Sequence, residues 1–75
     1  AALAGLGLSG REAEALVAVA RGRSTAEAAA DLGISPRTLA KHLQRIHAKL
    51  GVRDRAQAVA TAWAAAEAVA RRPAL

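Results

Sequence analysis

Four polar residues set before apolar runs, and three glycines set after them, cut this chain into short helical lengths. Ser9-Gly10-Arg11-Glu12 has the serine-x-x-glutamate form of a capping box with Leu8 just ahead of the cap. The helix it opens runs through Leu16 and Val19 to Gly22. A second box, Ser24-Thr25-Ala26-Glu27, opens a short helix that Gly33 ends. Ser35 caps the third helix, with Pro36 in its first turn where no amide donor is needed, and Gly51 stops it after Leu50. Asp54 and Gln57 form a further box for a helix through Ala56, Val59, Trp63 and Ala66 toward Ala70. No stretch alternates apolar and polar residues with β-branched side chains, so strands are not expected. Connections of two to five residues suit a compact helical domain. The predicted fold is all-α, a compact four-helix bundle. Its second and third helices, separated only by Gly33-Ile34-Ser35, form a helix-turn-helix. Ile34 is the apolar plug of that turn, and Gly33 permits the left-handed backbone there.

The charges are laid on this frame unevenly. Between Ile34 and Arg53 stand Arg37, Lys41, Arg45, Lys49 and Arg53, with no acidic residue among them. At 100° per residue, Leu39, Leu43, Ile46 and Leu50 gather on one stripe of the third helix. The four cations of that helix recur every fourth residue across its opposite side. The acids lie mainly earlier, at Glu12, Glu14, Glu27 and Asp31. A helix that docks on a core by one flank and is purely cationic on the other can face a polyanion, which is the profile of a DNA recognition helix. The net charge of +5 agrees, although surplus lysine and arginine often serve only solubility.

Length and composition bound the rest. Seventy-five residues make one small domain, and its 53% hydrophobic content is largely alanine. Trp63 is the only aromatic residue, so a few Leu, Ile and Val side chains must supply the core. Stability is expected to be modest, with a partner subunit a plausible aid. The absence of cysteine excludes disulfides, thiolate chemistry and cysteine-ligated zinc. No apolar run approaches a bilayer span, no signal-peptide layout is present, and a cytoplasmic location fits. The chain opens with Ala1, which suggests a piece of a longer protein: residues 1–7 as linker remnant, 8–70 as the domain and 71–75 as a loose tail.

The outward side of the third helix assigns contacts. Arg37, Lys41, Gln44 and Ala48, with Ala40 beside them, face a groove floor. Lys41 suits guanine O6 or N7, Gln44 suits adenine, and Ala40 offers a methyl contact to thymine. A phosphate contact is the alternative for Lys41, and a merely solvated side chain for Gln44. Thr38, Arg45 and Lys49 sit toward a groove wall, where phosphate contacts fit better. Arg53 and Arg55 are placed to reach the backbone, with an internal salt bridge as the alternative for Arg55. Ser35 caps its helix, and the same helix start can hold a phosphate on free amides. On the last helix Val59, Trp63, Ala66 and Ala70 share a stripe, which reads either as a dimer contact or, for Trp63, as core.

Three other readings fall away. His42 and His47 point about 140° apart on one helix and cannot share a metal ion; His42, beside the apolar stripe, is expected to be packed and hydrogen-bonded. Gly5-Leu6-Gly7-Leu8-Ser9-Gly10 spells a dinucleotide fingerprint, but no strand precedes it. Glu12 and Glu14 lie on different faces of one helix, and Ser9, Ser24 and Ser35 serve better as caps, so neither enzyme chemistry nor a cofactor is expected.

A run of spaced residues carries a resemblance: Leu8-Ser9-x-Arg11-Glu12; Gly22-x-Ser24-x-x-Glu27-x-Ala29-x-x-Leu32-x-Ile34-Ser35; Thr38-Leu39-x-x-His42-x-x-x-Ile46-x-x-Lys49-Leu50-Gly51-Val52; Arg55-x-x-Ala58-Val59. Over roughly residues 8 to 63 the chain resembles the LuxR-type (LuxR/FixJ-like) helix-turn-helix domain. The resemblance implies the C-terminal output domain of a bacterial transcription regulator, response regulators included. It implies a third helix in the major groove of double-stranded DNA and a homodimer contact through the fourth; the narrow stripe of Val59, Trp63 and Ala66, with one large side chain, would make that homodimer weak. An upstream regulatory domain, RNA polymerase as a partner and a nucleoid-associated location when bound follow from the same likeness. The family often has lysine where Ala40 stands, asparagine and lysine where Thr25 and Ala26 stand, and isoleucine where Ala28 stands. Those departures imply one fewer base contact, one fewer phosphate contact and a lighter core. The alternative from another class is a helical protein-interaction module whose basic face binds an acidic partner.

Overall fold

The computed structural model describes residues 5–70 and has four helices: α1 (Gly10–Ala20), α2 (Thr25–Leu32), α3 (Pro36–Leu50) and α4 (Arg55–Ala70). No strand occurs among the described residues. The start of the lead-in and the 71–75 tail read from the sequence lie outside them. Leu6, assigned to that lead-in, is half-buried against the core.

Each helix begins where a side chain replaces a missing intrahelical acceptor. Ser9 Oγ accepts the Glu12 amide at 3.2 Å while Glu12 Oε1 accepts the Ser9 amide at 2.9 Å. Ser24 and Glu27 repeat the exchange at 3.1 and 2.9 Å. Ser35 Oγ accepts from the Thr38 amide at 3.1 Å, with Pro36 in the first turn. The start of α4 differs from the expected box. Asp54 Oδ1 accepts the Gln57 amide at 2.9 Å, but Gln57 Oε1 accepts from the Arg53 amide at 2.8 Å, one residue before the position a capping box uses.

Two helix ends turn through left-handed glycines. Gly33 (φ 69°) closes α2 and lets the Ile34 amide reach the Ala29 carbonyl at 3.0 Å. Gly51 (φ 68°) closes α3 and lets the Val52 amide reach the His47 carbonyl, also at 3.0 Å. A side chain with a Cβ would be strained at either position.

The core is narrow. Leu16, Leu39 and Ile46 are fully buried, Val19 and Leu43 adjoin them, and alanines at 15, 28, 29, 58 and 62 fill the space between helices. α3 packs on both α1 and α2, and α1 packs on α4 as well. The three-residue turn therefore holds α2 and α3 as one unit, seated on α1, with the outer side of α3 turned to solvent.

Candidate nucleic-acid interface

The apolar stripe of α3 decides which residues reach solvent. With Leu39, Leu43 and Ile46 buried, Arg37, Thr38, Ala40, Lys41, Gln44, Arg45, Ala48 and Lys49 are all exposed. No hydrogen bond or ion pair among the described residues engages the side chains of Arg37, Lys41, Gln44 or Arg45. These four share one continuous outward surface with Ala40. At the start of the helix the Ser35 hydroxyl donates to Thr38 Oγ1 at 3.0 Å, so its own proton is engaged. Pro36 has no amide proton and the Thr38 and Leu39 amides are bonded to Ser35, so the Thr38 hydroxyl proton and the Arg37 amide are what that end offers an anion.

The acids of α1 and α2 are neutralised away from this surface. Glu14 pairs with Arg11 at 2.9 Å. Arg23 spans Asp31 at 2.8 Å and Glu27 at 3.6 Å. The Arg23 hydrogen bond holds the Asp31 carboxyl below its ordinary value. The Ser24 amide, followed by Arg23, does the same for Glu27. No acid touches Arg37, Lys41 or Arg45.

Two cations expected on phosphate have internal partners. Lys49 Nζ lies 2.6 Å from Glu12 Oε1, and Glu12 is only 3% exposed. The Lys49 hydrogen bond, with the Ser9 amide second, lowers the Glu12 carboxyl from 4.5 to about 2. A buried carboxylate without that ammonium would be left poorly solvated, which is why Lys49 turns inward. Arg55 is half-buried, and a terminal N–H donates to Thr25 Oγ1 across the starts of α4 and α2. This is a hydrogen bond to a hydroxyl, not the salt bridge considered for Arg55, so its charge stays uncompensated. Arg53 is exposed, with only its backbone amide bonded.

The Glu12–Lys49 tie is a contact that reading the sequence missed. Glu12 stands at i, with Leu16 at i+4 and Val19 at i+7, on the buried stripe of α1. A carboxylate there needs a cationic partner, which is the signal that was available.

The α4 residues separate from one another. Val59 is half-buried against the core of its own domain, whereas Trp63 is 58% exposed and belongs to no core cluster. Trp63 and Ala66 form one wall of an apolar groove of about 930 Å³ whose other wall includes Ala13 and Val17 of α1. His42 and His47 are half-buried, and His42 Nδ1 and His47 Nε2 are shielded and unpaired, so the hydrogen bond expected of the packed His42 is not made at Nδ1. No group of three His, Cys, Asp or Glu side chains among the described residues could hold a metal ion. No helix there is long and apolar enough to cross a membrane.

A helix-turn-helix whose second helix exposes an unneutralised cationic side is the architecture of a DNA-binding domain. Residues 6–62 match the family described as bacterial regulatory proteins, luxR family, and the chain belongs to it. It is 51% identical over 55 residues to the probable transcriptional regulatory protein NarL of Mycobacterium tuberculosis, covering 73% of this chain and 26% of that protein. It is 47% identical over 53 residues to the probable transcriptional regulatory protein SgaR of Hyphomicrobium methylovorum, covering 71% and 25%. The chain thus spans about a quarter of the length of these relatives. No solved structure matches it at a significant level.

Proposed function

We propose that this domain binds double-stranded DNA in a sequence-specific manner, with α3 in the major groove, as the output part of a longer transcription regulator. The observation that carries the reading is the outer side of α3, where Arg37, Lys41, Gln44 and Arg45 are exposed and unpartnered while the acids of α1 and α2 are paired elsewhere. In this reading Lys41 and Gln44 read base edges, with Arg37 and the Ala40 methyl beside them. Thr38, the amide end capped by Ser35, Arg45 and Arg53 meet phosphates, and Arg55, held by Thr25, adds a guanidinium at the same edge. The regulated function, an upstream regulatory domain and a contact with RNA polymerase belong to the longer protein.

Two copies pair weakly through α4. Trp63 and Ala66 supply the contact, seated along the groove beside α1, and Val59 supports them from within its own domain. One large side chain falls short of the roughly 1,600 Å² that a standard stable interface buries. DNA therefore completes the pairing by raising the effective concentration of the second copy. Half-sites then lie about 10–10.5 base pairs apart, centre to centre.

The test is selection of bound duplexes from a random pool by the purified domain. A defined inverted repeat is expected. Unstructured enrichment would favour instead a module whose basic side meets an acidic protein. Lys41→Ala and Gln44→Ala should each relax preference at one or two base pairs by about 1–3 kcal/mol.

A further inference from the structure

We propose that Glu12 is a positioning residue for DNA recognition, anchoring the last turn of α3 to the start of α1 through Lys49 and withdrawing Lys49 from the cations that meet phosphate. The proposal rests on the DNA-binding reading above.

One oxygen carries the whole arrangement. Glu12 Oε1 accepts the Ser9 amide at 2.9 Å and Lys49 Nζ at 2.6 Å, so the cap of α1 and the end of α3 meet on a single atom. The residues joined are 37 positions apart and belong to the two helices that build most of the core. Glu12 is 3% exposed, whereas 42% of the Lys49 side chain remains accessible. Turning Lys49 to a phosphate would leave the carboxylate buried against one amide, and a phosphate contact at an exposed site offers little to offset that. Arg45, one turn earlier, has no such partner and stays available.

The anchor sits at the opposite end of α3 from Arg37, the first of the residues assigned to base edges. Lys49 and Arg37 are 12 positions apart, about 18 Å along a helix at 1.5 Å per residue. A change in tilt of about 5° at one end moves the other by about 1.5 Å, enough to lose a hydrogen bond to a base edge. Glu12 therefore acts on base preference without touching DNA.

Salt dependence separates this role from a phosphate contact and from a merely structural one. The duplex from the selection above and an unrelated duplex are titrated over a salt series with wild type, Lys49→Met, Glu12→Gln, the double variant and Arg45→Met. Glutamine keeps the acceptor that the capping box needs while removing the charge. Arg45→Met should flatten the slope of log K against log salt by about 0.9. Lys49→Met should leave that slope at the wild-type value. Glu12→Gln should steepen it by about 0.9, as the released ammonium reaches phosphate, and lower preference for the selected duplex several-fold. The double variant should return the slope to wild type. A slope flattened by Lys49→Met as much as by Arg45→Met overturns the proposal, as does a Glu12→Gln variant unchanged in both slope and preference. If Lys49→Met does not fold, Glu12→Gln and the double variant, which have no unpaired buried carboxylate, decide alone. Failure of the wild type to bind any duplex would overturn the DNA-binding reading as well, so the two failures are distinguishable.

Discussion

α3 and α4 have nearly the same length, 15 and 16 residues, and opposite ways of joining the domain. α3 is the more polar helix, yet it buries Leu39, Leu43 and Ile46 because its apolar residues keep to one stripe. α4 is the more apolar helix and buries only Ala58 and Ala62, because alanine is spread around it without a preferred side. Segregation, more than hydrophobic content, determines how firmly a helix is held. It also frees the other side of α3 for a ligand, since packing and recognition occupy separate arcs. In α4 the two surfaces adjoin instead: Ala62 belongs to both the core and the groove, while Trp63 and Ala66 line the groove without joining the core.

Side-chain deletion in the buried stripe of α3 has the largest expected effect. Ile46→Ala or Leu39→Ala should destabilise the domain by about 2–5 kcal/mol, read from urea unfolding. A loss under 1 kcal/mol at both sites would show that α3 is held no more firmly than α4. At α4 the informative change runs the other way, because Ala58 has little to delete. Ala58→Leu should destabilise by about 1–3 kcal/mol through overpacking. Stabilisation there would reveal unfilled space between α4 and α1.

Acid acts on α3 in particular, since the end of that helix is tied down by charge. Glu12 has a folded-state pKa near 2 against an ordinary 4.5, so the unfolded chain binds the proton more readily. Its contribution is complete above about 4.5 and is lost as pH falls toward 2. Urea midpoints measured over that range should fall with pH, less so in Glu12→Gln. Asp31 and Glu27, also lowered by their partners, add to the decline in both proteins. An identical pH profile for the two proteins would place the Lys49 contact outside the stability of the fold.

What the sequence disclosed follows the same division. Caps and glycine stops are local, so Ser9, Ser24, Ser35, Gly33 and Gly51 mark helix ends at positions the structure bears out. The outward arc of α3 was equally legible, because Leu39, Leu43 and Ile46 orient everything else on that helix. The pairs Glu12–Lys49 and Thr25–Arg55 were not, being 37 and 30 residues apart. A helical wheel places a side chain at an edge but not which helix stands beside that edge. Trp63 was ambiguous for a different reason: with alanine on most sides of α4, nothing in its pattern distinguishes the inner arc from the outer.

That ambiguity sets the smallest predicted effect on the isolated domain. Trp63 is 58% exposed, so Trp63→Ala should change unfolding free energy by no more than about 0.5 kcal/mol. On an inverted repeat the same substitution should abolish cooperativity, measured as the ratio of affinities for paired and single half-sites, while leaving single-site binding intact. Val59→Glu does not separate pairing from folding. Val59 is half-buried against the core, and a carboxylate there would disturb folding together with pairing. Ala66→Glu, on the groove wall, gives the complementary test. Loss of cooperativity in both Trp63→Ala and Ala66→Glu, with unfolding unchanged in Trp63→Ala, assigns α4 a pairing role separable from its packing role. Retained cooperativity in both would leave α4 as a packing helix alone and move the contact between copies elsewhere.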